Sequence, residues 1–531
     1  MSKKAWIGPL LVILFATGVG GSLRLALAAR GDFPLNDGGM FFVMVKDVLQ
    51  NHFALPWYTS YNGGQIPFCY PPLPFYLAAG LLQVSRAPLL ALFQYLPAIL
   101  STLTIPAFYG LGYSLTQSRA KAALAALAFA LLPRAFIWPI MGGGLSRALG
   151  LLMAILALTL LAALFLQSRK WMIIGAALTC SATLLSHPEI AWFLFCSALL
   201  LAVGAALGYR RKRHAWRQIL RHILLPALGV GLGTLLLTAP WWVVVLQRHG
   251  VDTFLAPFQV RAEESAPLVR LLLFSYSDEA FTQLIGALAI VGLIVELLQR
   301  RYFLPTWLAL TVFLSLRNAP YISMIQVALF AAAALDELIL PGVEGLSRRW
   351  LPPDSPNEVI ARRASRARLS VQGILLGYLL FSAFGFMFLP NSSLRRLPQT
   401  DREALAWIEA NTPPASRFAI LQGQPTWETD MLSEWFPALS GRVSVATVQG
   451  NEWFPGEYAS AQAAYISLQE CFTKDTPCLE TWEIEFDKRF NYLYLADPER
   501  RSTLWGTLMD ATEYTLVYQN SAAAVFLKKS Q

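Results

Sequence analysis

Leu149-Gly-Leu-Leu-Met-Ala-Ile-Leu-Ala-Leu-Thr-Leu-Leu-Ala-Ala-Leu-Phe-Leu166 runs for eighteen residues without a charge. As a helix it covers about 27 Å, close to the ~30 Å hydrocarbon layer of a bilayer. Arg147 precedes it and Arg169-Lys170 follows it. A helix on the surface of a soluble protein keeps one polar face, whereas this one is apolar all round. The stretch therefore reads as a membrane span.

The same pattern recurs on both sides. Candidate spans are Trp6–Ala29, Ala91–Leu115, Ala120–Trp138, Leu149–Leu166, Trp171–Ser186, Ile190–Leu207, Ile223–Leu246, Phe281–Leu298, Phe303–Leu316, Tyr321–Leu340 and Val371–Leu389. Of the 531 residues, 55% are hydrophobic and 14% charged. Soluble domains carry about 25% charged residues, so a soluble chain is excluded. The expected fold is a polytopic α-helical membrane protein of about 11–13 transmembrane helices, with a small C-terminal α/β domain outside the cytoplasm. Lys3 and Lys4 before an apolar run also describe a signal peptide. The run is too long for a signal core and lacks a small-residue cleavage site, so it is read as a retained first span.

The net charge of +9 resides largely in turns between spans. Lys3/Lys4, Arg119/Lys121, Arg169/Lys170, Arg210–Arg221, Arg300/Arg301 and Arg348–Arg368 all fall on one side, which the positive-inside rule makes cytoplasmic. The first outer loop is then residues 30–90, and residues 342–370 form a basic cytoplasmic linker. The membrane domain is expected over 1–389 and the outer domain over 390–531, in a multi-pass cell-membrane protein with its N-terminus inside. In the outer domain Thr400-Asp-Arg-Glu403 reads as a capping box opening a helix to Asn411. Strand-like runs follow at Phe418–Leu421, Ser444–Val448, Tyr492–Leu495, Thr515–Tyr518 and Ala524–Leu527. Cys471 and Cys478 flank a short loop in that domain and are expected to form a disulfide.

The first outer loop is the most unusual segment, being too long for a mere connector. It reads Gly31-Asp-Phe-Pro-Leu-Asn-Asp37-Gly-Gly-Met-Phe-Phe42 and later Asn62-Gly-Gly-Gln-Ile-Pro-Phe-Cys-Tyr-Pro-Pro-Leu-Pro74. Phe41, Met44, Val45, Val48 and Leu49 recur with helical period, as in an amphipathic helix lying on a membrane surface. Asp37 before it has two readings. It caps the helix, or it is a carboxylate at the mouth of the membrane domain that orients an acceptor and takes its proton. The Asp-Gly-Gly turn would let a substrate approach the backbone closely.

The order of features resembles the GT-C superfamily of membrane glycosyltransferases, which includes oligosaccharyltransferase catalytic subunits, protein mannosyltransferases and aminoarabinose transferases of lipid A. The matching elements are the Asp-bearing first outer loop, the helix start Tyr70-Pro-Pro-Leu-Pro74 and the span from Leu96-Pro-Ala to Tyr109-Gly-Leu-Gly112 ending at a basic turn. Leu132-Pro-Arg134 and Met141-Gly-Gly-Gly-Leu-Ser-Arg147 follow. The match covers about the first 170 residues, and the remainder agrees in architecture. It implies a sugar donor on a polyprenyl phosphate or pyrophosphate, entering from the bilayer, and transfer to a glycan, lipid or protein acceptor on the outer face. Asp37 takes the position of the catalytic carboxylate, with Asp32 second. Oligosaccharyltransferases carry acidic metal ligands in the second outer loop. Residues 134–147 here contain no acid, so that metal site is not expected.

Arg134 and Arg147 are candidates to face the donor phosphate, or are interfacial anchors. His187 and Glu189, at the outer end of a helix pair, are candidates to line the site. Ser277-Asp278-Glu279 is either a place for a divalent cation or acceptor, or a helix N-terminus. Arg317 stands at an outer helix end, suited to a phosphate. Arg442 and Trp453 are candidate acceptor contacts. Trp57, Trp241, Trp242, Trp435 and Trp453 read as belt anchors or as sugar-stacking platforms. No P-loop, zinc-binding His-Glu-x-x-His or nucleophile elbow is present, and no cofactor motif appears. The alternative function is a non-catalytic scaffold or transporter sharing the architecture; transporters usually show internal repeats, and none is visible.

Overall fold

The computed structural model describes residues 4–211, 216–259, 276–314, 319–352, 355–389, 394–497 and 499–529. In chain order the helices begin with α1 (Lys4–Ala29), α2 (Gly39–Gln50), α3 (Leu73–Ser85), α4 (Leu89–Thr116), α5 (Arg119–Leu131) and α6 (Gly144–Leu166). They continue with α7 (Met172–Leu184), α8 (Pro188–Arg211), α9 (Trp216–Leu255), α10 (Leu284–Leu298), α11 (Phe303–Leu314), α12 (Ala319–Arg349) and α13 (Asn357–Phe388). Seven of these, α1, α4, α6, α8, α9, α12 and α13, are long and apolar enough to cross a bilayer. Four more apolar helices, α3, α7, α10 and α11, are 10–17 residues long. The chain is a multi-pass membrane protein. The span expected over Ala120–Trp138 stops at Leu131, because Pro133 cannot continue the helical ladder and opens a short 3-10 turn instead.

The central helix is α6, the stretch quoted first, with Leu151, Ala154, Ile155, Leu158 and Leu161 buried against α4, α7 and α8. Inside a membrane, lipid is as apolar as leucine, so helices associate by close contact of small residues. Accordingly α5 buries Ala122, Ala123, Ala125 and Ala126, and α12, which packs on it, buries Ala328, Ala331 and Ala332. Arg24 of α1 is wholly buried among them. Its Nη1 donates to the carbonyls of Gly20 (2.8 Å) and Ala130 (2.9 Å), its Nε to Ser101 Oγ (3.1 Å), and it lies over the Phe136 ring. The Ala130 carbonyl belongs to the last turn of α5, where the helix dipole favours a cation. At the opposite end of the helical body, two of the basic turns meet acids. Lys121 bonds Glu337, and Arg301 pairs with Glu337 (2.7 Å) and Glu296 (3.4 Å), tying α5, α10 and α12 together.

The basic segment 342–370 is largely helical among its described residues. Gly342–Arg349 completes α12, and α13 begins at Asn357 and runs unbroken through Arg362–Arg368 into the apolar stretch. The two helical extensions pack together, with Arg368 on Glu344 (3.1 Å). Ala and Arg are strong helix formers, so α13 runs without a break from Asn357, just after Pro356, into the apolar stretch.

Beyond residue 394 come α14 (Gln399–Asn411), α15 (Met431–Ser440), α16 (Glu457–Glu470), α17 (Thr476–Phe486) and α18 (Thr503–Asp510). With them is a five-stranded sheet. β1 and β2 are the two-residue strands Tyr58–Thr59 and Ile66–Pro67 of the first loop; the sheet uses β3 (Arg417–Leu421), β4 (Val443–Ser444), β5 (Tyr492–Leu495), β6 (Tyr514–Gln519) and β7 (Ala524–Lys528). Its order is β4-β3-β5-β7-β6, parallel across β4-β3-β5 and antiparallel beyond. Cys471 and Cys478 are joined in a disulfide. The capping box at Thr400–Glu403 does not form: Pro398 starts α14 without a side-chain cap. Asp401 turns inward to accept from the Tyr494 hydroxyl (2.7 Å), and Gln399 bonds Glu403 (2.9 Å).

The first loop folds against this sheet domain. Phe33, Phe42, Val45 and Val48 share one apolar core with Leu405, Ile408, Phe418, Trp435 and Tyr494. The expected membrane-surface role of the helix at 41–49 is therefore corrected: α15 covers α2, and Phe42, Val43, Met44 and Val45 are buried in protein. Asp47 holds the next turn. It accepts from Thr59 Oγ1 (2.6 Å), Ser60 N (3.0 Å) and Ser60 Oγ. Asp47→Ala would strand those donors, each buried or partly buried, and is expected to cost about 2–4 kcal/mol. Thermal unfolding in detergent reads this as a lowered Tm, and an unchanged Tm would show that water replaces the carboxylate.

Candidate functional site

Two glycine runs build the site. Gly38-Gly39 follows Asp37, and Gly142-Gly143-Gly144 leads into α6. Gly38 has φ 127°, a backbone conformation costly for any side chain. The runs lie backbone to backbone: a Cβ on Gly142 would stand 2.1 Å from the Asp37 carbonyl oxygen, and one on Gly143 2.5 Å from Asp37 Oδ2. The Gly142 N–H donates to Leu35 O (2.7 Å), and the Gly143 N–H is shared between Asp37 O and Asp37 Oδ1 (both 3.1 Å). The expected use of the Asp-Gly-Gly turn, room for a substrate, is thus replaced by room for the protein's own backbone.

This contact delivers Asp37 to Arg147, one turn into α6. Nη1 meets Oδ2 at 2.9 Å and Nη2 meets Oδ1 at 3.0 Å, a bidentate pair. The side chain of Arg147 is 9% exposed and that of Asp37 26%. The Arg147 guanidinium also lies 4.7 Å from the Trp138 ring centre. Asp37 does not cap α2, whose first turn has no side-chain cap. The carboxylate keeps one face toward open space while its charge is held by a fixed partner.

Around the pair stand groups from four further elements. Tyr70, partly buried, has its hydroxyl 3.1 Å from Ser146 Oγ, and desolvation pushes that hydroxyl up from its ordinary range. The His187 ring is 6.4 Å from Tyr70, and Trp453 6.1 Å. Tyr321 of α12 is buried, its hydroxyl has no hydrogen-bond partner among the described residues, and it feels the charges of Arg147 and Glu189. His187 also accepts from Ile190 N (3.4 Å), and Glu189 lies in the first turn of α8, which is the helix-cap geometry.

The sheet domain reaches the same loop through α15. Glu434 Oε1 accepts from the Gly38 N–H (2.7 Å), the Trp435 Nε1–H donates to Asn36 O (2.8 Å), and the Tyr61 hydroxyl donates to Glu434 O (2.7 Å). Burial, and then the charge of Asp37, push the Glu434 carboxyl up to about 8. Neither Glu434 nor Tyr321 sits in a motif; the one nearby signal was Trp435, read as a belt anchor or stacking platform, and it did not point to the carboxyl beside it.

Other candidates go elsewhere. Arg134 is spent on Asp278, Nε to Oδ2 at 2.7 Å and Nη2 to Oδ1 at 2.8 Å. Glu279 accepts from Ser277 Oγ and from the amides of Ile285 and Gly286, the helix-start reading of that block. Among the described residues no three His, Cys, Asp or Glu side chains gather closely enough to share a metal ion. Asp32 pairs with Arg402 (2.8 Å), which holds its carboxyl below the ordinary range, and its side chain is 72% exposed. Arg442 is buried and donates to Thr412 Oγ1, Ser440 O, Glu409 O and Thr412 O, so it is a structural tie and not an acceptor contact. Trp435, expected at an interface, is wholly buried between Phe33 and Phe42. Arg317 lies outside the described residues.

No protein-family model matches the chain, and no curated protein matches it in sequence. Solved structures do. The archaeal oligosaccharyltransferase AglB from Archaeoglobus fulgidus, in complex with an inhibitory peptide and a dolichol-phosphate, superposes with a TM-score of 0.60 at 16% identity, over 93% of this chain and 70% of that one. ArnT from Cupriavidus metallidurans in the apo state gives 0.57 at 15% identity, over 99% and 98%. The arabinofuranosyltransferase AftD from Mycobacteria gives 0.61 at 16% identity, over all of this chain and 40% of the longer one. These neighbours are GT-C glycosyltransferases, and the fold of this chain is theirs.

Proposed function

We propose that the chain is a GT-C-type glycosyltransferase that moves a sugar from a polyprenyl-phosphate-linked donor to an acceptor on the outer face of the cell membrane. The supporting observation is the Asp37–Arg147 pair: a partly open carboxylate, gripped bidentately by a buried arginine, at the junction of an apolar helical body and a polar domain. One neighbour is a complex with a dolichol-phosphate and a peptide, which fits a lipid-borne donor and leaves the acceptor class open.

In this reading Asp37 orients the acceptor and takes its proton as the acceptor atom bonds to the anomeric carbon. The bond from that carbon to the phosphate oxygen breaks, and polyprenyl phosphate leaves as an anion needing little acid assistance. Arg147 fixes the base and places positive charge near the leaving group. Tyr70, His187, Glu189 and Tyr321 line the sugar site. Arg317, at an outer helix end in the sequence, is the second candidate for the phosphate. The test incubates purified protein with a panel of polyprenyl-phosphate-linked sugars and measures released polyprenyl phosphate by mass spectrometry. Release dependent on added acceptor is the expected result. A folded protein that releases none with any donor would favour the scaffold reading.

A further inference from the structure

We propose that Glu434 is a positioning residue for Asp37, and that loss of its proton switches the site off. The inference rests on the glycosyltransferase reading and deepens it. Its basis is geometric. Asp37 is gripped through both of its chain neighbours by two consecutive residues of α15: Trp435 Nε1–H donates to the carbonyl of Asn36, and Glu434 Oε1 accepts from the N–H of Gly38. The helix cannot slip relative to the loop, because the Glu434 carbonyl is itself fastened by Tyr61 and a Cβ on Gly39 would meet that carbonyl at 2.6 Å. The sheet domain is therefore part of the site.

Glu434 is 8% exposed, and the groups acting most strongly on its carboxyl are Asp37, Arg147 and the amides of Gly38 and Gly39. Tyr61 lies on its backbone side, with Glu452 and Asp430 in the same electrostatic neighbourhood. The other elements packed on α15, α2 and α14, carry Lys46, Asp47, Asp401, Arg402, Glu403 and Glu409. With Glu434 protonated, Asp37 and Arg147 balance each other. With it ionised, the site holds two carboxylates against one guanidinium, and an anionic donor is repelled. Its carboxyl lies near 8. Transfer should therefore fall on the alkaline side, about tenfold per pH unit, through weaker donor binding.

Three forms of the full-length protein in detergent test this. Glu434→Ala removes the acceptor for the Gly38 N–H, and kcat near pH 7 is expected to fall at least about tenfold. Glu434→Gln keeps a carbonyl acceptor and cannot ionise, so it is expected to recover most of that loss. It is also expected to lack the alkaline rise in donor KM seen in the wild type. A Gln variant with the same alkaline limb as the wild type overturns the proposal. A second readout needs no turnover. A carboxyl whose folded pKa is raised stabilises fully below its unfolded pKa, near 4.5, and this is lost as pH rises through the folded value. The Tm of Glu434→Gln minus that of the wild type is expected to rise from about pH 5 to about pH 8 and then level. Asp401 and Asp430, also pushed up by burial, are common to both proteins and cancel. A flat difference overturns the proposal even if no donor is turned over. A rising difference without turnover overturns the glycosyltransferase reading and not the titration.

Discussion

Asp37→Asn is expected to lower transfer by at least about 10³-fold while leaving the protein inserted and folded. The carboxylate accepts from both Arg147 Nη atoms and from the Gly143 N–H, leaving its remaining lone-pair direction for an acceptor. An asparagine offers one oxygen and one N–H₂ group, which in either orientation faces a donor of Arg147. The base is lost, and so is the counter-charge of an arginine that is almost wholly buried. Breaking a buried pair costs about 3–5 kcal/mol, and with Asp37 a quarter exposed about 1–3 kcal/mol is expected. That is small enough for the folded protein to be purified. The measurement is released polyprenyl phosphate per mole of folded enzyme. Asp32→Asn serves as the control, because the exposed Asp32–Arg402 pair lies outside this constellation and solvent screens it. Loss in the Asp32 variant and retention in the Asp37 variant would reverse the assignment.

Gly142→Ala is expected to reduce transfer by about 10²-fold, without touching any group that does chemistry. The added methyl would stand 2.1 Å from the Asp37 carbonyl oxygen and 3.4 Å from Pro34 Cβ, so the 34–38 loop must move away. That movement breaks the Gly142–Leu35 bond and opens the bidentate pair. Overpacking of this kind costs about 1–3 kcal/mol, and a 1 Å misplacement of a reacting group is worth about 10²-fold in rate. Gly80→Ala in α3, where the new methyl meets nothing within 4 Å, is the comparison. Near-normal turnover in the Gly142 variant would mean that the loop closes only around substrate.

The two substitutions probe information of different kinds. The carboxylate at 37 could be singled out from its place in a long loop beside two glycines. The reason for the glycines could not, because their crowding partners are Gly142, Gly143 and Glu434, about a hundred to four hundred residues away. Strands at 417–421, 492–495, 514–519 and 524–528 were legible because alternating or β-branched runs between turns have few other uses. The capping box at Thr400 was misread because the helix starts at Gln399 after Pro398, which places Thr400 inside the first turn, and Gln399 takes the Glu403 side chain. Residues 342–370 looked like a linker because charge was taken for irregularity, whereas arginine is a strong helix former.

Chain order alone established a membrane-embedded helical body, a polar α/β end and one overlong loop bearing an acid, since hydrocarbon thickness and side-chain hydropathy act on contiguous residues. Which partner that acid took, and which helix of the polar domain clamped it, depended on folding in space. A bidentate ion pair and backbone-to-backbone contact are short-ranged and need atoms brought within about 3 Å. No periodicity along the chain encodes a meeting of Asp37, Arg147 and Glu434.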